Sequence, residues 1–199
     1  MYRPVVAGER QKFMTQLSKK ENIILTGFMG TGKTTVGRLL AELLDYSFVD
    51  TDDLIEARYG RSIPQIFAEA GEATFRQMER DIAQELAERE CLVIATGGRL
   101  MLDPANVKAL GRNGRVFCLV AAPEEIVARL ARDNSRERPL LSVPNSDKRI
   151  LELLEERSHK YQQFPQVTTD GQKPIDIAHH LVTLVRAVQS GEYLGTGHP

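Results

Sequence analysis

The run GFMGTGKTT at residues 27–35 contains residue types that bind phosphate, between an apolar run and an amphipathic one. Gly27, Gly32, Lys33 and Thr34 match Gly-x-x-x-x-Gly-Lys-Ser/Thr, in which curled backbone N–H groups and a helix N-terminus hold an anion. Lys33 can reach the β- and γ-phosphates, and the Thr34 hydroxyl can ligate Mg²⁺. The pattern predicts a nucleoside triphosphate site and leaves the phosphate acceptor open. The nucleotide contacts expected here are Gly30, Thr31, Gly32, Lys33, Thr34 and Thr35.

An acidic run, Asp-Thr-Asp-Asp at residues 50–53, follows the next apolar run. Asp50 and Asp52 stand two apart, so both carboxylates point to one side if strand geometry persists through them. Asp53 is a candidate N-cap of the helix that follows. Taken alone, the run is more often an acidic strand-to-helix cap, but beside a phosphate loop it favours binding of a metal and an acceptor.

Four further segments occur in order: GEATFRQMER at 71–80, ATGG at 95–98, RERPLL at 136–141 and LLEERSHKYQQF at 153–164. With the phosphate loop and the acidic run, this set resembles the shikimate kinases over about residues 21–189. Adenylate and gluconate kinases share the phosphate loop but not these acceptor-side segments. The resemblance implies that ATP, with Mg²⁺, phosphorylates the 3-hydroxyl of shikimate in aromatic amino-acid synthesis.

The resemblance also implies roles for the residues near the reacting hydroxyl. It places Asp50 near the metal, together with Thr34, and Asp52 against the ring hydroxyls as the base for the one that attacks. In the family pattern the backbone N–H of Gly98 donates to the substrate. The metal site implied is therefore Thr34 with Asp50.

Three arginines match the family's charged positions. Arg76 and Arg157 are implied to bind the substrate carboxylate, which suits the planar fork of a guanidinium. Arg138 matches a lid arginine that brings positive charge to the transferring phosphoryl group while the lid excludes water. Arg132 and Arg136 are alternatives for a nucleotide contact. The catalytic set expected from the resemblance is Lys33, Asp52 and Arg138.

Residues 97–99 depart from the family pattern, because Gly97 and Gly98 are followed by Arg99 where the family has a third glycine. A positive φ at Arg99 would carry strain of roughly 1–2 kcal/mol. With an ordinary φ, the question is whether the side chain points into the acceptor pocket or away from it. A shikimate kinase, a kinase for another small hydroxylated acid and a ligand sensor without turnover all stay open. An active enzyme is favoured by six retained residues, Lys33, Thr34, Asp52, Arg76, Arg138 and Arg157.

Strand-like and helix-like runs alternate along the chain and would position these residues. Strands are predicted at 22–27, 47–50, 91–98, 115–121 and 166–170, with helical periodicity between and after them. This alternation favours an α/β architecture with a parallel sheet of about five strands flanked by helices. The resemblance implies a P-loop kinase fold with a mobile lid. We expect a polar extension at 1–21, one folded domain at 22–189 and a tail at 190–199.

Length and charge limit the remaining function classes. The 199 residues fit one domain, and a formal net charge of -1 gives no general attraction to nucleic acid or an anionic membrane. No apolar run approaches the roughly 18 residues of a membrane span. Cys91 and Cys118 lie in apolar runs and are predicted to be buried, reduced thiols. We expect a cytoplasmic monomer whose partner is a small molecule, with neither nucleic acid nor membrane involved.

Overall fold

The computed structural model describes residues 21–132 and 146–189. Within them the strands are β1 Asn22–Thr26, β2 Ser47–Asp50, β3 Leu92–Ala95, β4 Gly114–Val120 and β5 Gln166–Thr168. They form one sheet in the order β2-β3-β1-β4-β5, and every neighbouring pair is parallel. The predicted five-stranded parallel sheet is confirmed, although β3 stops at Ala95, before the two glycines.

Helices cover both faces of the sheet, and two of them begin at clear side-chain N-caps. Ser62 and Gln65 form a capping box at α3, and Asp103 accepts a hydrogen bond from the Ala105 N–H ahead of Pro104 at α4. A short 3₁₀ helix covers Leu100–Leu102. The α-helices in the described ranges are α1 Lys33–Leu44, α2 Thr51–Tyr59, α3 Ile63–Ala87, α4 Pro104–Gly111, α5 Pro123–Arg132, α6 Ser146–Tyr161 and α7 Pro174–Gln189.

The central strand β1 is buried on both faces. Ile24 packs into one apolar cluster with Ile82 of α3, whereas Leu25 packs into the other with Leu40 of α1 and Leu181 of α7. These side chains are fully buried, and the burial of each contributes about 1.5–3 kcal/mol to the stability of the fold. Burial on two faces explains why the strands are apolar throughout instead of alternating. The polar residues that follow the strands are left to form a site at their carboxyl ends.

Strand β2 ends at Asp50, as predicted, but the N-cap of α2 differs from the sequence-based expectation. Asp50 is both the last residue of β2 and the N-cap of α2, and its carboxylate accepts the N–H groups of Asp52 at 3.1 Å and Asp53 at 3.5 Å. The assignment of Asp53 as the N-cap was therefore wrong. Strand alternation does not relate Asp50 to Asp52, because the strand ends between them.

Helix α3 consists of two helical runs. They meet at Gly71, whose φ of 76° and ψ of 170° are not helical. The break divides α3 into a first part, residues 63–70, and a second part, residues 72–87, that carries Arg76. The second helical run therefore follows the first without a loop.

Some expectations concern residues outside the described ranges. These are nearly all of the extension at 1–21, the tail at 190–199, and the segment 133–145 with Arg136 and Arg138. Among the helices of residues 21–132 and 146–189, none has the length and apolar character that a bilayer span requires. Cys118 is buried, as predicted, but Cys91 is only partly buried and precedes β3 with a φ of 57°.

Candidate active site

The phosphate loop, residues 27–35, leaves β1 at the carboxyl end of the sheet and leads into α1. Gly30 and Gly32 have φ values of 78° and 91°, which residues with a side chain rarely adopt. Buried Thr31 fixes the curl, since its hydroxyl donates to the Phe28 carbonyl at 2.8 Å. The backbone therefore has the curled form that an anion cradle before a helix N-terminus requires.

Lys33 and Thr34 begin α1 and both reach other parts of the site. Lys33 Nζ donates to the carbonyls of Gly27 at 2.9 Å and Phe28 at 2.8 Å. The Thr34 hydroxyl donates to Asp50 Oδ2 at 2.9 Å. This hydroxyl and carboxylate are the hard oxygen ligands that Mg²⁺ prefers when phosphates and waters complete its shell. The Thr34–Asp50 pair therefore fits an Mg²⁺ ion that binds together with a nucleotide.

Asp52, in the first turn of α2, packs against Gly97 in the loop after β3. A Cβ on Gly97 would overlap Asp52 Oδ1, so only glycine admits the carboxylate at this place. The Gly97 N–H donates to the buried Thr51 hydroxyl at 2.9 Å, which ties the start of α2 to the end of β3. Asp50 and Asp52 thus face different partners, because Asp50 contacts the phosphate loop and Asp52 contacts the loop after β3.

Gly98, unlike Gly97, has open space around it. Its φ is not positive, and a Cβ built on it would meet no described atom within 4 Å. Its carbonyl accepts a hydrogen bond from the hydroxyl of Tyr161 on α6. Burial raises the pKa of Tyr161 to about 12, so the hydroxyl remains a neutral donor. Neither the backbone conformation nor a close neighbour requires glycine at this position. The space beside Gly98 is open to a ligand.

Arg76, on α3, is held by two aromatic rings and two carboxylates. Its guanidinium carbon lies 5.9 and 5.2 Å from the ring centroids of Phe67 and Phe75. Nη1 donates to Glu79 at 2.6 Å, while Nε and Nη2 donate to Glu72 at 3.2 and 3.0 Å. Burial alone would lower the pKa of Arg76, but these carboxylates outweigh it and raise the pKa. The three bonds use three of five N–H donors and leave one on each terminal nitrogen for a further carboxylate.

Glu79 supports Arg76 from the core side. It is 2% exposed, and burial raises its pKa although the Arg76 charge acts in the opposite direction. A buried carboxylate that loses its cation is costly, so the pair fixes the orientation of Arg76.

Arg157, on α6, lies beside the phosphate loop, with its guanidinium carbon 5.8 Å from the ring centroid of Phe28. Burial lowers the pKa of Arg157, and the charges of Arg99 and Arg76 lower it further by repulsion. We call Arg76, Arg99 and Arg157 the arginine cluster. Because these like charges repel one another, an anion bound among them would relieve the repulsion and be attracted by all three.

Arg99 adopts an ordinary backbone conformation, with φ of -112° and ψ of -10°. Arg99 therefore carries no backbone strain. Its Nη1 lies 2.9 Å from Glu72 Oε1, and its side chain is 46% exposed. The side chain points along the surface toward α3.

Arg129 contacts the phosphate loop, and the sequence analysis did not identify it. It donates to the Gly30 carbonyl at 3.4 Å and to the hydroxyl and carbonyl of Thr169 at 2.8 and 2.9 Å. It thereby joins the phosphate loop to the residues after β5. The only local signal was its spacing of four residues from Glu125, which is common on any solvated helix.

Of the other expected nucleotide contacts, Thr35 and Arg132 are exposed, and Arg136 and Arg138 lie outside the described residues. Four other side chains that the sequence analysis did not single out also contact site residues. Thr51 and Tyr161 bond Gly97 and Gly98, 46 and 63 positions away, whereas Glu72 and Glu79 bond Arg76 within the same helix.

Comparisons with known proteins point to one family. A family model described as shikimate kinase matches residues 29–186. The chain is 45% identical to a shikimate kinase of Caldanaerobacter subterraneus subsp. tengcongensis over 150 residues, which are 75% of this chain and 86% of the relative. It is 39% identical to that of Thermodesulfovibrio yellowstonii over 173 residues, 86% and 99% of the two chains.

A solved structure gives the same result at the level of the fold. Shikimate kinase from Acinetobacter baumannii in complex with shikimate has a TM-score of 0.80 to this chain at 36% identity, and the alignment covers 92% of this chain and 99% of that one. Sequence and structure agree over nearly the whole described region. The chain therefore belongs to the shikimate kinase family and has its P-loop kinase fold.

Proposed function

We propose that this protein transfers the γ-phosphoryl group of ATP to the 3-hydroxyl of shikimate, which gives shikimate 3-phosphate and ADP. The observation that carries the proposal is the position of Asp52. Its carboxylate lies against Gly97, the residue before Gly98, while Asp50, two residues earlier, bonds the Thr34 hydroxyl at the start of α1. Family membership, and a relative solved with shikimate, support the identity of the acceptor.

The nucleotide phosphates bind in the phosphate loop. Backbone N–H groups from Gly30 to Thr35 surround them, and Lys33 Nζ exchanges its carbonyl partners, Gly27 and Phe28, for phosphate oxygens. Thr34 and Asp50 hold Mg²⁺, which when bound neutralises charge on the phosphates. Arg138, outside the described residues, adds positive charge at the transferring group.

The acceptor binds through its carboxylate and its ring hydroxyls. Arg76 and Arg157 receive the carboxylate, and the Gly98 N–H donates to the acceptor beside them. Asp52 takes the proton of the 3-hydroxyl while the 3-hydroxyl oxygen bonds to the γ-phosphorus. The bond between the γ-phosphorus and the bridging oxygen breaks, and that oxygen leaves with ADP. A positioned base of this kind contributes about 10²- to 10⁴-fold to the rate.

The test is a coupled assay with ATP, Mg²⁺ and shikimate. We expect turnover, and we expect Arg76→Ala and Arg157→Ala to raise the KM for shikimate about tenfold or more while the KM for ATP stays unchanged. Arg80→Gln on α3 and Arg149→Gln on α6 are matched controls, because both arginines form ion pairs elsewhere, with Asp103 and Glu152.

A wild-type protein that phosphorylates only other hydroxylated acids would overturn the acceptor assignment. Binding of shikimate without turnover would support a sensor instead. An unchanged KM for shikimate in either Ala variant would remove that arginine from the carboxylate site.

We also propose that the enzyme is a cytoplasmic monomer that acts on small molecules without nucleic acid or membrane. One chain supplies both halves of the proposed site, and the 22–189 region carries them. Sedimentation equilibrium of the full chain, and an assay of a 22–189 fragment beside it, test the oligomeric state and the domain limits.

A further inference from the structure

One carboxylate oxygen connects two members of the arginine cluster. Glu72 Oε1 accepts from Arg99 Nη1 at 2.9 Å and from Arg76 Nη2 and Nε at 3.0 and 3.2 Å. Hydrogen bonds from Arg76, and then the charges of Arg76 and Arg99, lower the pKa of Glu72. The carboxylate is therefore charged at neutral pH, and it can hold both guanidinium groups.

These three residues come from two segments that the proposed site must keep in register. Arg99 directly follows Gly98, whereas Glu72 is the first residue after the break at Gly71 and lies one turn before Arg76. The Arg99–Glu72 bond therefore spans from the loop after β3 to the start of the second part of α3. A contact at the start of that part limits how it can move relative to the loop, since the helix is interrupted just before it.

We propose that Arg99 is a positioning residue of the acceptor site, which through Glu72 orients Arg76 and fixes the spacing between Arg76 and the Gly98 backbone. The inference rests on the proposed function, in which Arg76 and Gly98 bind the acceptor. Arg99 itself does not need to touch the acceptor. Arg99, which departs from the family pattern, thereby supports Arg76 and Gly98, which match it.

The size of the effect follows from exposure. The side chains of Arg99 and Glu72 are 46% and 52% exposed, so water and salt screen their attraction. We expect a modest change in acceptor affinity that becomes smaller at high ionic strength.

The experiment compares Arg99→Gln, Glu72→Gln and the double variant by steady-state kinetics. Each single variant should raise the KM for shikimate about two- to fivefold, with kcat and the KM for ATP unchanged. The double variant should be no worse than the larger single variant, because both remove one coupled contact. Arg99→Lys, which keeps the charge, should restore most of the affinity, and about 0.5 M salt should reduce the differences.

The matched control is Arg80→Gln. Arg80 Nε bonds Asp103 Oδ2 at 2.8 Å and so links the same helix to the residue before α4, but without contacting the proposed acceptor residues. Its KM for shikimate should equal that of the wild type. Thermal melts of every variant confirm that the kinetics report on folded protein.

Two results would overturn the inference. If Glu72→Gln lowers the KM while Arg99→Gln raises it, Arg99 acts directly as a charge on the acceptor and Glu72 opposes it. If neither variant changes the KM while Arg76→Ala raises it, the Arg99–Glu72 bond has no part in the site. If Arg76→Ala is also without effect, the proposed acceptor site itself is wrong, which distinguishes the two failures.

Discussion

The two halves of the site are built in different ways. The nucleotide half is one run, residues 27–35, held by its own backbone and by bonds from Thr31 and Lys33 to neighbouring carbonyls. The proposed acceptor half takes Asp52, Arg76, Gly98 and Arg157 from α2, α3, the loop after β3 and α6. The first half is therefore encoded locally, whereas the second exists only after the chain has packed. Substitutions should separate the halves by which substrate they affect.

The largest effect should come from Lys33→Ala in the nucleotide half. Loss of the cation at the transferring group should lower kcat by about 10³-fold or more, since one such charge acts where charge develops. Calorimetric titration with shikimate alone should still show binding. Lys108→Ala, at an exposed lysine of α4, is the control. Retained activity in Lys33→Ala would remove the phosphate-loop mechanism.

Asp52→Asn should have the next largest effect, on the acceptor half. An amide cannot accept the hydroxyl proton as a base, so kcat should fall about 10²- to 10³-fold while the KM for ATP is unchanged. Asp53→Asn, one residue on and exposed, should behave as wild type. Equal loss in both variants would indicate damage to α2 and not to the base.

Gly97→Ala should have an intermediate effect because it acts on Asp52 indirectly. A methyl group at residue 97 collides with Asp52 Oδ1, and the carboxylate must move. A displacement of about 1 Å at a reacting group costs up to about 10²-fold, and we expect a loss of kcat/KM of about 10- to 100-fold. Gly111→Ala, where a Cβ meets nothing within 4 Å, is the control. Full activity in Gly97→Ala would contradict the close approach of Asp52.

The smallest effect should appear in the pH dependence of stability on the acceptor side. Burial raises the folded-state pKa of Glu79 above its ordinary value of 4.5. Such a carboxyl binds its proton more tightly when folded, so its contribution to the free energy of unfolding is greatest below about pH 4.5 and declines as the pH rises through the folded-state pKa. The stability of wild type relative to Glu79→Gln should therefore decrease from about pH 4 to pH 7.

Urea unfolding of wild type and Glu79→Gln across this range measures the difference, and groups common to both proteins cancel. A difference that grows with pH would mean that Arg76 holds the pKa of Glu79 below its ordinary value. Such a result would strengthen the view of the pair as a fixed ion pair.

The same contrast between the halves explains what the sequence could predict. The phosphate loop was predictable because the residues that act together are adjacent, and the strand before it and the helix after it follow local rules. The parallel sheet followed from alternation of elements. The end of β2 at Asp50 was also predicted, but the N-cap of α2 was not, because Asp50 both closes the strand and caps the helix. An assignment of the cap to Asp53 misses this by three residues.

The residues of the proposed acceptor half were named only from a resemblance, because no local pattern points to them. No local pattern says that Thr51 bonds Gly97, that Tyr161 bonds Gly98, or that Glu79 lies buried behind Arg76. The direction of Arg99 likewise depends on where α3 breaks, which brings Glu72 within reach. Such contacts are between residues tens of positions apart or on a helix face set by packing.

Gly71 and Gly97 lead to opposite expectations for mutational tolerance. A Cβ at Gly97 has no room, so the harm from substitution there should grow with side-chain size. A Cβ at Gly71 has open space, but φ of 76° with ψ of 170° is a conformation that is essentially confined to glycine. Every replacement at residue 71, small or large, should therefore be about equally damaging, and a saturation library would separate a volume limit from a backbone limit within one enzyme.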